Sequence, residues 1–480
     1  MAEKTLKEKT INGVMWSAVD RFSSQGIQFV FNILIARILL PEDYGVVAML
    51  GIFMAIAQTF IDSGFGGALI RKKDRTEDDY NTVFYFNLAV SILFYVILFL
   101  AAPAIAKFYK IPLLTKITRV VSITLVINAF SAVQNTKLSI DLDFRKKSII
   151  NIISVTVVGA VGLILAARGL GVWALVFQSL FSSAFRTILL WAFGHWMPRL
   201  LFSVKSFKEF FSFGSKLLVS SLIDTLYNNI YTIVIGKCFS LASLGLYNKA
   251  ESFAAFPSSS LTNMLQSVTF PVLSSIQDEK EKLLNWFRSF LRLSAYVIFP
   301  LMIGLAAVAD PFVRIVLNEN WAGMIYLLQI VCFALMWYPI HSINLNILLV
   351  KGRSDLTLKT AVIEKVAGVV VLCITIPMGL VAMCYGRIIH SIFCLYINAR
   401  YSGKLIDYGF GKQLRDYMPI FVLSVVMGVI VWLTIHFIPS LWVKLAVGIL
   451  EGVAVYLVGS VVFRFEELSQ LVSLIKEKVK

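Results

Sequence analysis

Ser17, Arg21, Gln25, Gln28 and Asn32 recur three or four residues apart within one apolar stretch, with Asp20 and Ser24 beside them. On a helix that spacing puts them on one face. A guanidinium at such a place can take a phosphate through two parallel hydrogen bonds. The amides can serve sugar hydroxyls, and a carboxylate in a partly dry setting can hold a proton or a cation. A second stretch repeats the pattern with Ser220, Asp224, Tyr227, Asn228 and Tyr231. Other apolar stretches carry Gln58 and Asp62, then Arg119, Thr124, Asn128, Ser131 and Asn135, then Arg186. Further along come Lys249, Glu251, Ser252, Ser259, Asn263 and Gln266, followed by Arg292, Glu364, Lys365 and Arg387. Cations outnumber anions in this set, which favours a hydrophilic, anionic solute such as a phosphate or pyrophosphate. The competing reading is that the charges pair and hold helices together, with Arg186, Lys216 and Lys249 reaching for the membrane surface. Taken as a group, they predict a cavity lined with polar side chains.

The stretches that carry these residues must be membrane spans. Of the 480 residues 58% are hydrophobic and only 15% charged, and the mean hydropathy is +0.80. A soluble domain of that length needs far more surface charge. Applying the requirement of roughly 20 apolar residues per crossing predicts about 14 spans. They cover roughly residues 11–38, 43–68, 80–106, 113–138, 148–168, 171–194, 209–237, 245–275, 285–308, 321–350, 355–378, 380–400, 416–437 and 441–462. Turn chemistry marks the breaks at Pro41, Pro112, Arg168-Gly169, Asp310-Pro311, Pro377-Met378-Gly379 and Pro439. With the N-terminus inside, about 27 Lys and Arg fall on inner segments and about 8 on outer loops, a positive-inside bias. The net charge of +16 therefore belongs to the cytoplasmic face and calls for no nucleic acid. Both termini are expected in the cytoplasm.

The chain also repeats weakly at a shift of 200 residues. Arg37 falls over Lys237, Leu39 over Phe239, Gly45 over Gly245, Ser24 over Asp224 and Gln28 over Asn228. This predicts an all-α membrane protein with two six-helix lobes around a central polar cavity, residues 1–200 and 201–404. Two additional spans over 405–462 and an amphipathic cytoplasmic tail over 463–480 complete it. In that tail Leu468, Leu471, Val472, Ile475 and Val479 share one face.

Other chemistry is not indicated. The five cysteines stand singly, and His195, His341, His390 and His436 have no ligand spacing, so neither a disulfide framework nor a metal site is expected. There is no phosphate-binding G-x-x-x-x-G-K-[ST] run, and no cofactor is expected. Gly64-Phe65-Gly66-Gly67 lacks a preceding strand and suits close helix packing. Asp141-Leu142-Asp143 resembles a metal-binding D-x-D but sits in a short basic loop with no adjoining domain. No extramembrane loop exceeds roughly 20 residues, which leaves no room for a soluble catalytic module, so no enzyme is expected. The polar start MAEKTLKEKT and the long stretch after it do not form a cleavable signal.

Several short motifs together resemble the polysaccharide-transporter (Wzx-type) branch of the multidrug/oligosaccharidyl-lipid/polysaccharide exporter superfamily. They are Gly13-x-x-Trp16, Leu40-Pro41-x-x-Tyr44-Gly45, Asp62-x-Gly64 running into Ala68-Leu69-Ile70, and Leu142-Asp143-Phe144-Arg145-Lys146. Gly245-Leu246-Tyr247, Phe270-Pro271, Ala309-Asp310-Pro311 and Trp321 are similar in the second half. The resemblance implies a flippase that moves a polyprenyl-pyrophosphate-linked oligosaccharide from the inner to the outer leaflet of the bacterial cytoplasmic membrane by alternating access. It implies Arg21, Arg119, Arg292 and Arg387 as pyrophosphate contacts. Gln25, Gln28, Asn128, Asn228 and Asn263 then face the sugar, and Asp20, Asp62, Asp224 and Glu251 are candidates for ion coupling. Expected partners are the lipid-linked substrate and membrane lipids, with a glycan polymerase or chain-length machinery as a candidate. The rivals are an ion-coupled drug exporter of the same superfamily and a non-transporting scaffold of a glycan-assembly complex.

Overall fold

The computed structural model describes residues 2–62, 65–194 and 196–470. His195, Gly64 and the tail residues Leu471, Val472, Ile475 and Val479 lie outside the described residues. So do the side chains of Lys4, Lys7, Lys9, Ser17 and Lys216. Everything regular among the described residues is helix, as a chain in lipid requires when each backbone N–H must find its acceptor within the same segment. Eleven helices are long and apolar enough to cross a membrane, and a twelfth crossing results if one bent pair counts as a single span.

By internal packing the chain divides into two compact units, Met1–Gly245 and Leu246–Lys480. The first contains α1 (Ala2–Ile38), α2 (Pro41–Asp62), α3 (Phe65–Arg71), α4 (Glu77–Tyr109) and α5 (Leu113–Val121). It continues through α6 (Ile123–Ile140), α7 (Phe144–Ala167), α8 (Val172–Phe193), α9 (Val204–Asn228) and α10 (Ile230–Cys238). Its helix ends follow the local chemistry. Pro41 opens α2, where its missing N–H costs nothing, and the Asp43 carboxylate accepts from Leu40 N at 3.1 Å. Thr76 and Asp79 form a reciprocal capping box at the start of α4, and Lys72 donates to the fully buried Asp79 at 2.9 Å. Asp143 caps α7 by accepting from Lys146 N at 3.1 Å. Gly169, at φ +76°, ends it.

The seventh expected span is not one rod. It bends by 43° at Asn229 between α9 and α10; Asn229 turns its side-chain N–H back to Thr225 O at 2.8 Å, competing with the helical ladder. The fourth expected span is a single crossing, Leu113–Ile140, interrupted for one residue at Ser122 between α5 and α6. Helices α9 and α10 pack against α2, α3 and α4, which is why the packing boundary falls after Gly245.

Helix α11 (Leu241–Ser275) runs across that boundary. The second unit continues with α12 (Lys280–Ala307), α13 (Ala309–Val316), α14 (Ile325–Leu335), α15 (Tyr338–Val350) and α16 (Ser354–Thr375). Then come α17 (Leu380–Ile406), α18 (Phe410–His436) and α19 (Leu441–Val462). The tenth expected span is broken between α14 and α15, around Met336 and Trp337. Polar ties supplement the packing here, since lipid gives no hydrophobic drive between helices. Arg288 of α12 grips Asp416 of α18 through two bonds of 2.7 and 3.1 Å, and Tyr296 donates to Ser460 of α19 at 2.9 Å.

The two expected spans that fail the apolarity test coincide with α1 and α11. Both are long enough, at 37 and 35 residues. What disqualifies them is the polar stripe each carries.

Candidate functional site

In the first unit, α1, α7 and α8 enclose a cavity of about 460 Å³. Beside it, α7 carries glycine where α1 and α8 press close. A Cβ on Gly159 would lie 2.2 Å from the Phe31 ring, and one on Gly162 would lie 2.5 Å from the Gln178 amide. Asp20, Arg21, Ser24, Gln25, Gln28 and Asn32 of α1 line one wall. Asn151 and Ser154 come from α7; Gln178, Ser182 and Arg186 come from α8.

The charges in this cavity are unequally placed. Asp20 accepts from Ser24 Oγ at 2.9 Å and from Asn151 Nδ2 at 3.0 Å, and it lies within electrostatic reach of Arg186 and Lys147. Its role as an ion-coupling group would therefore compete with existing hydrogen bonds. Arg21, Gln25 and Gln28 line the same space and make no hydrogen bond among the described residues. The wall thus offers two guanidinium groups and several amides to one incoming anionic, hydroxyl-rich group.

Asn128 lines a separate cavity of about 370 Å³ between α2, α6 and α8, with Gln58, Thr124, Ser179 and Ser183. Helix α8 therefore serves two cavities with two faces, Gln178-Ser182-Arg186 on one and Ser179-Ser183 on the other. Sequence reasoning picked out Arg186 alone. The signal was present: Gln178, Ser182 and Arg186 are spaced by four, which stacks them on one helix face.

The remaining expected site residues are not gathered with these. Asp62 is exposed at the end of α2 and accepts from Gln58 Nε2 at 2.9 Å. Asp224 and Asn228 are exposed on α9, which meets α2 through Thr59 and Thr225, 3.0 Å apart. Arg119 lies 4.3 Å above the Phe99 ring and points at Phe99 O, a cation–π arrangement on α4. In the second unit Arg292 pairs with the buried Glu467. Arg387 donates to Tyr247 and to Glu251, both at 2.6 Å, so two expected site residues of opposite sign meet each other. Asn263 is exposed on α11. Of the four expected pyrophosphate contacts, then, Arg21 alone lines the α1–α7–α8 cavity.

Among the described residues no group of three His, Cys, Asp or Glu side chains converges as metal ligands. Asp141 and Asp143 line an end cavity of about 540 Å³ with Glu77, Lys137, Lys146, Trp196 and Arg199. Asp143 is committed to its helix cap and to Lys146, 3.1 Å away.

These features define a multi-pass helical membrane protein whose spans enclose polar, cation-bearing cavities. A family model described as "polysaccharide biosynthesis protein" matches residues 34–326, more than half of the chain, and the chain belongs to that family. It is 26% identical over 460 residues to the teichuronic acid biosynthesis protein TuaB of Bacillus subtilis, covering 94% of this chain and 95% of the relative. It is equally 26% identical over 460 residues to the lipopolysaccharide biosynthesis protein WzxC of Escherichia coli, covering 93% and 89%. Among solved structures, an inward closed conformation of the lipid II flippase MurJ superposes with a TM-score of 0.75 at 15% identity, covering 94% of this chain and 98% of that one. The last likeness is one of fold. The resemblance carried by the short motifs, to the polysaccharide-transporter branch, is thereby borne out.

Proposed function

We propose that the protein is a flippase for a lipid-linked oligosaccharide, carrying sugar and phosphate across the membrane while the lipid tail stays in the bilayer. The observation that carries this is the cavity of α1, α7 and α8, where Arg21 and Arg186 stand among amides and hydroxyls inside lipid-spanning helices. Such a surface is costly in a bilayer unless a solute or water occupies it. The guanidinium groups match a phosphoryl oxygen pair, and Gln25, Gln28, Asn151 and Gln178 replace the water that sugar hydroxyls lose. A cation-rich wall also disfavours the cationic solutes that a drug exporter takes. The relatives' names place them in the biosynthesis of teichuronic acid and lipopolysaccharide, and the solved neighbour is named a lipid II flippase. All three point to surface-glycan precursors.

The reading includes α1 and α11 as crossings, giving 14 spans, with both termini in the cytoplasm of a bacterium and the inner loops basic. Arg119, Arg292 and Arg387, which have other partners here, act on the phosphate only in states that release them. Alternating access moves the cavity between the two faces.

Arg21→Gln and Arg186→Gln are expected to abolish export of the surface glycan while leaving protein abundance in the membrane unchanged. Normal export from both variants would overturn the phosphate assignment. Native mass spectrometry of gently extracted protein adds an independent check. A retained pyrophosphate-linked glycan is expected, and its retention should be lost in Arg21→Gln.

A further inference from the structure

The end cavity of about 540 Å³ in the first unit shares no lining residue with the α1–α7–α8 cavity. Its walls are the start of α4, the end of α6 with the turn into α7, and the segment that follows α8. That segment is pinned to α4 at three points. Trp196 Nε1 donates to Glu77 Oε2 at 2.8 Å, Arg199 N to Asn81 Oδ1 at 2.7 Å, and Ser203 N to Thr82 Oγ1 at 2.9 Å. Asn81 and Thr82 are fully buried. Bonds within the chain therefore set the shape of the cavity, and a ligand would find it formed.

Half of its charges are already engaged. Glu77 holds Trp196, while Asp143 and Lys146 hold each other at the cap of α7. Lys137, Arg199 and Asp141 remain, and their side chains make no hydrogen bond or ion pair among the described residues. Lys137 Nζ lies 4.5 Å from the Tyr80 ring centre and 5.8 Å from that of Trp196. The rings steady the ammonium but leave its three N–H groups unused.

Two open cations beside one open carboxylate describe a ligand of particular chemistry. The ammonium and guanidinium suit phosphate oxygens. A pyrophosphate would bring its extra negative charge against Asp141, whereas a phosphodiester carries only one. Asp141 can then accept from an O–H or N–H at the far end of the same ligand. The rim says what else the ligand carries. Phe193 and Met197 line the cavity and are 40% and 67% exposed, an apolar edge at the end of a span, where headgroups lie. A soluble phosphate ester gains nothing from that edge, but acyl chains do.

We propose that this cavity binds the headgroup of a membrane phospholipid. Its phosphodiester sits on Lys137 and Arg199, its terminal hydroxyl or ammonium on Asp141, and its chains run along Phe193 and Met197. Choline, with neither O–H nor N–H, is the poorer fit. The site requires only that this end of the unit meets a membrane surface, and it does not rest on the flippase reading.

The test is native mass spectrometry of the delipidated full chain in detergent, titrated with synthetic phosphatidylglycerol, phosphatidylethanolamine and phosphatidylcholine of identical chains. The first molecule of either of the first two lipids should bind about tenfold more tightly than phosphatidylcholine, the worth of one charge-assisted hydrogen bond. Lys137→Gln and Arg199→Gln should each weaken that first binding by about tenfold, for the same reason. Asp141→Ala should erase the headgroup preference. Lys73→Gln removes an exposed cation outside the cavity and should bind as the wild type does. Equal affinity of the wild type for all three lipids, or an equal loss in Lys73→Gln and Arg199→Gln, would indicate an unselective lipid belt and overturn the site. Glycerophosphoethanolamine, the same headgroup without chains, should not displace the lipid. Displacement at equal concentration would make the ligand a soluble phosphodiester and overturn the lipid assignment. Arg199 is exposed, so its variant decides the matter even where Lys137→Gln fails to fold.

Discussion

A buried cation can serve a ligand or a neighbouring helix, and its partners decide which. Arg387 and Glu251 are 19% and 30% exposed and 2.6 Å apart, so each largely neutralises the other. Removing one leaves a half-buried charge without its counter-ion, which costs more than removing both. Arg387→Gln and Glu251→Gln should each lower thermal stability, and the double variant should recover part of the loss, with a coupling of roughly 1–2 kcal/mol. Strictly additive losses would mean that the pair is not a pair in the membrane, and would return Arg387 to the pool of phosphate ligands. The comparison also shows what the residue types could reveal. Arg21, Gln25 and Gln28 were legible as one face because their spacing lies within one helix, and the cavity wall has that face. The partners of Arg119, Arg292 and Arg387 were not legible, because Phe99, Glu467 and Glu251 lie 20, 175 and 136 positions away in sequence. Periodicity says nothing about separations of that kind.

At the level of helices, one pair that the weak 200-residue repeat matches, Gly45 and Gly245, has a steric reason of its own. A Cβ on Gly45 would lie 2.2 Å from Leu241 O, and one on Gly245 would lie 1.8 Å from Pro41 O. Each glycine thus packs against the first residue of the other's helix, α2 against α11, with backbone as the obstacle. Backbone cannot move aside as a long side chain can, so Gly245→Ala should destabilise by about 1–3 kcal/mol. Gly26→Ala, where an added Cβ meets nothing within 4 Å, should be neutral or slightly stabilising through helix propensity. Melting curves of the two purified variants against wild type measure this directly. Equal midpoints would show that the crossing is looser than described. The helix boundaries at Pro41 and Gly169 were readable because turn and capping chemistry is local, and the caps at Thr76 and Asp143 use chemistry just as local although the sequence reading did not single them out. The bend at Asn229 and the interruption at Ser122 were not, since no proline or glycine announces them and an apolar run hides a local change in the helix; the interruption at Met336-Trp337 does have a signal, Pro339 at the start of α15.

For the molecule as a whole, the open question is how many times the chain crosses, and the answer turns on α1 and α11. Length and apolarity give 11 or 12 crossings among the described residues, yet the helices that fail the test are those bearing the polar stripes. A hydropathy threshold penalises the feature a transport helix needs, because a span that lines a wet cavity has only part of its circumference in lipid. The charge pattern favours counting α11 as a crossing. If α11 did not cross, every loop after it would change sides, and the basic segment around Lys351, Arg353 and Lys359 would face outward against the positive-inside bias. Single cysteines placed at Leu40, Ser240, Asp278 and Leu200 in a chain freed of its own cysteines separate the cases. These positions lie in or beside turns between helices and are exposed. A membrane-impermeant maleimide added to intact cells should label positions 40 and 240 and should reach 200 and 278 only after the membrane is opened. Labelling of 278 from outside would remove α11 from the spans. It would leave its stripe, with Glu251 and the groups that hold Arg387, on a helix lying along the surface, and no transport path could then use it.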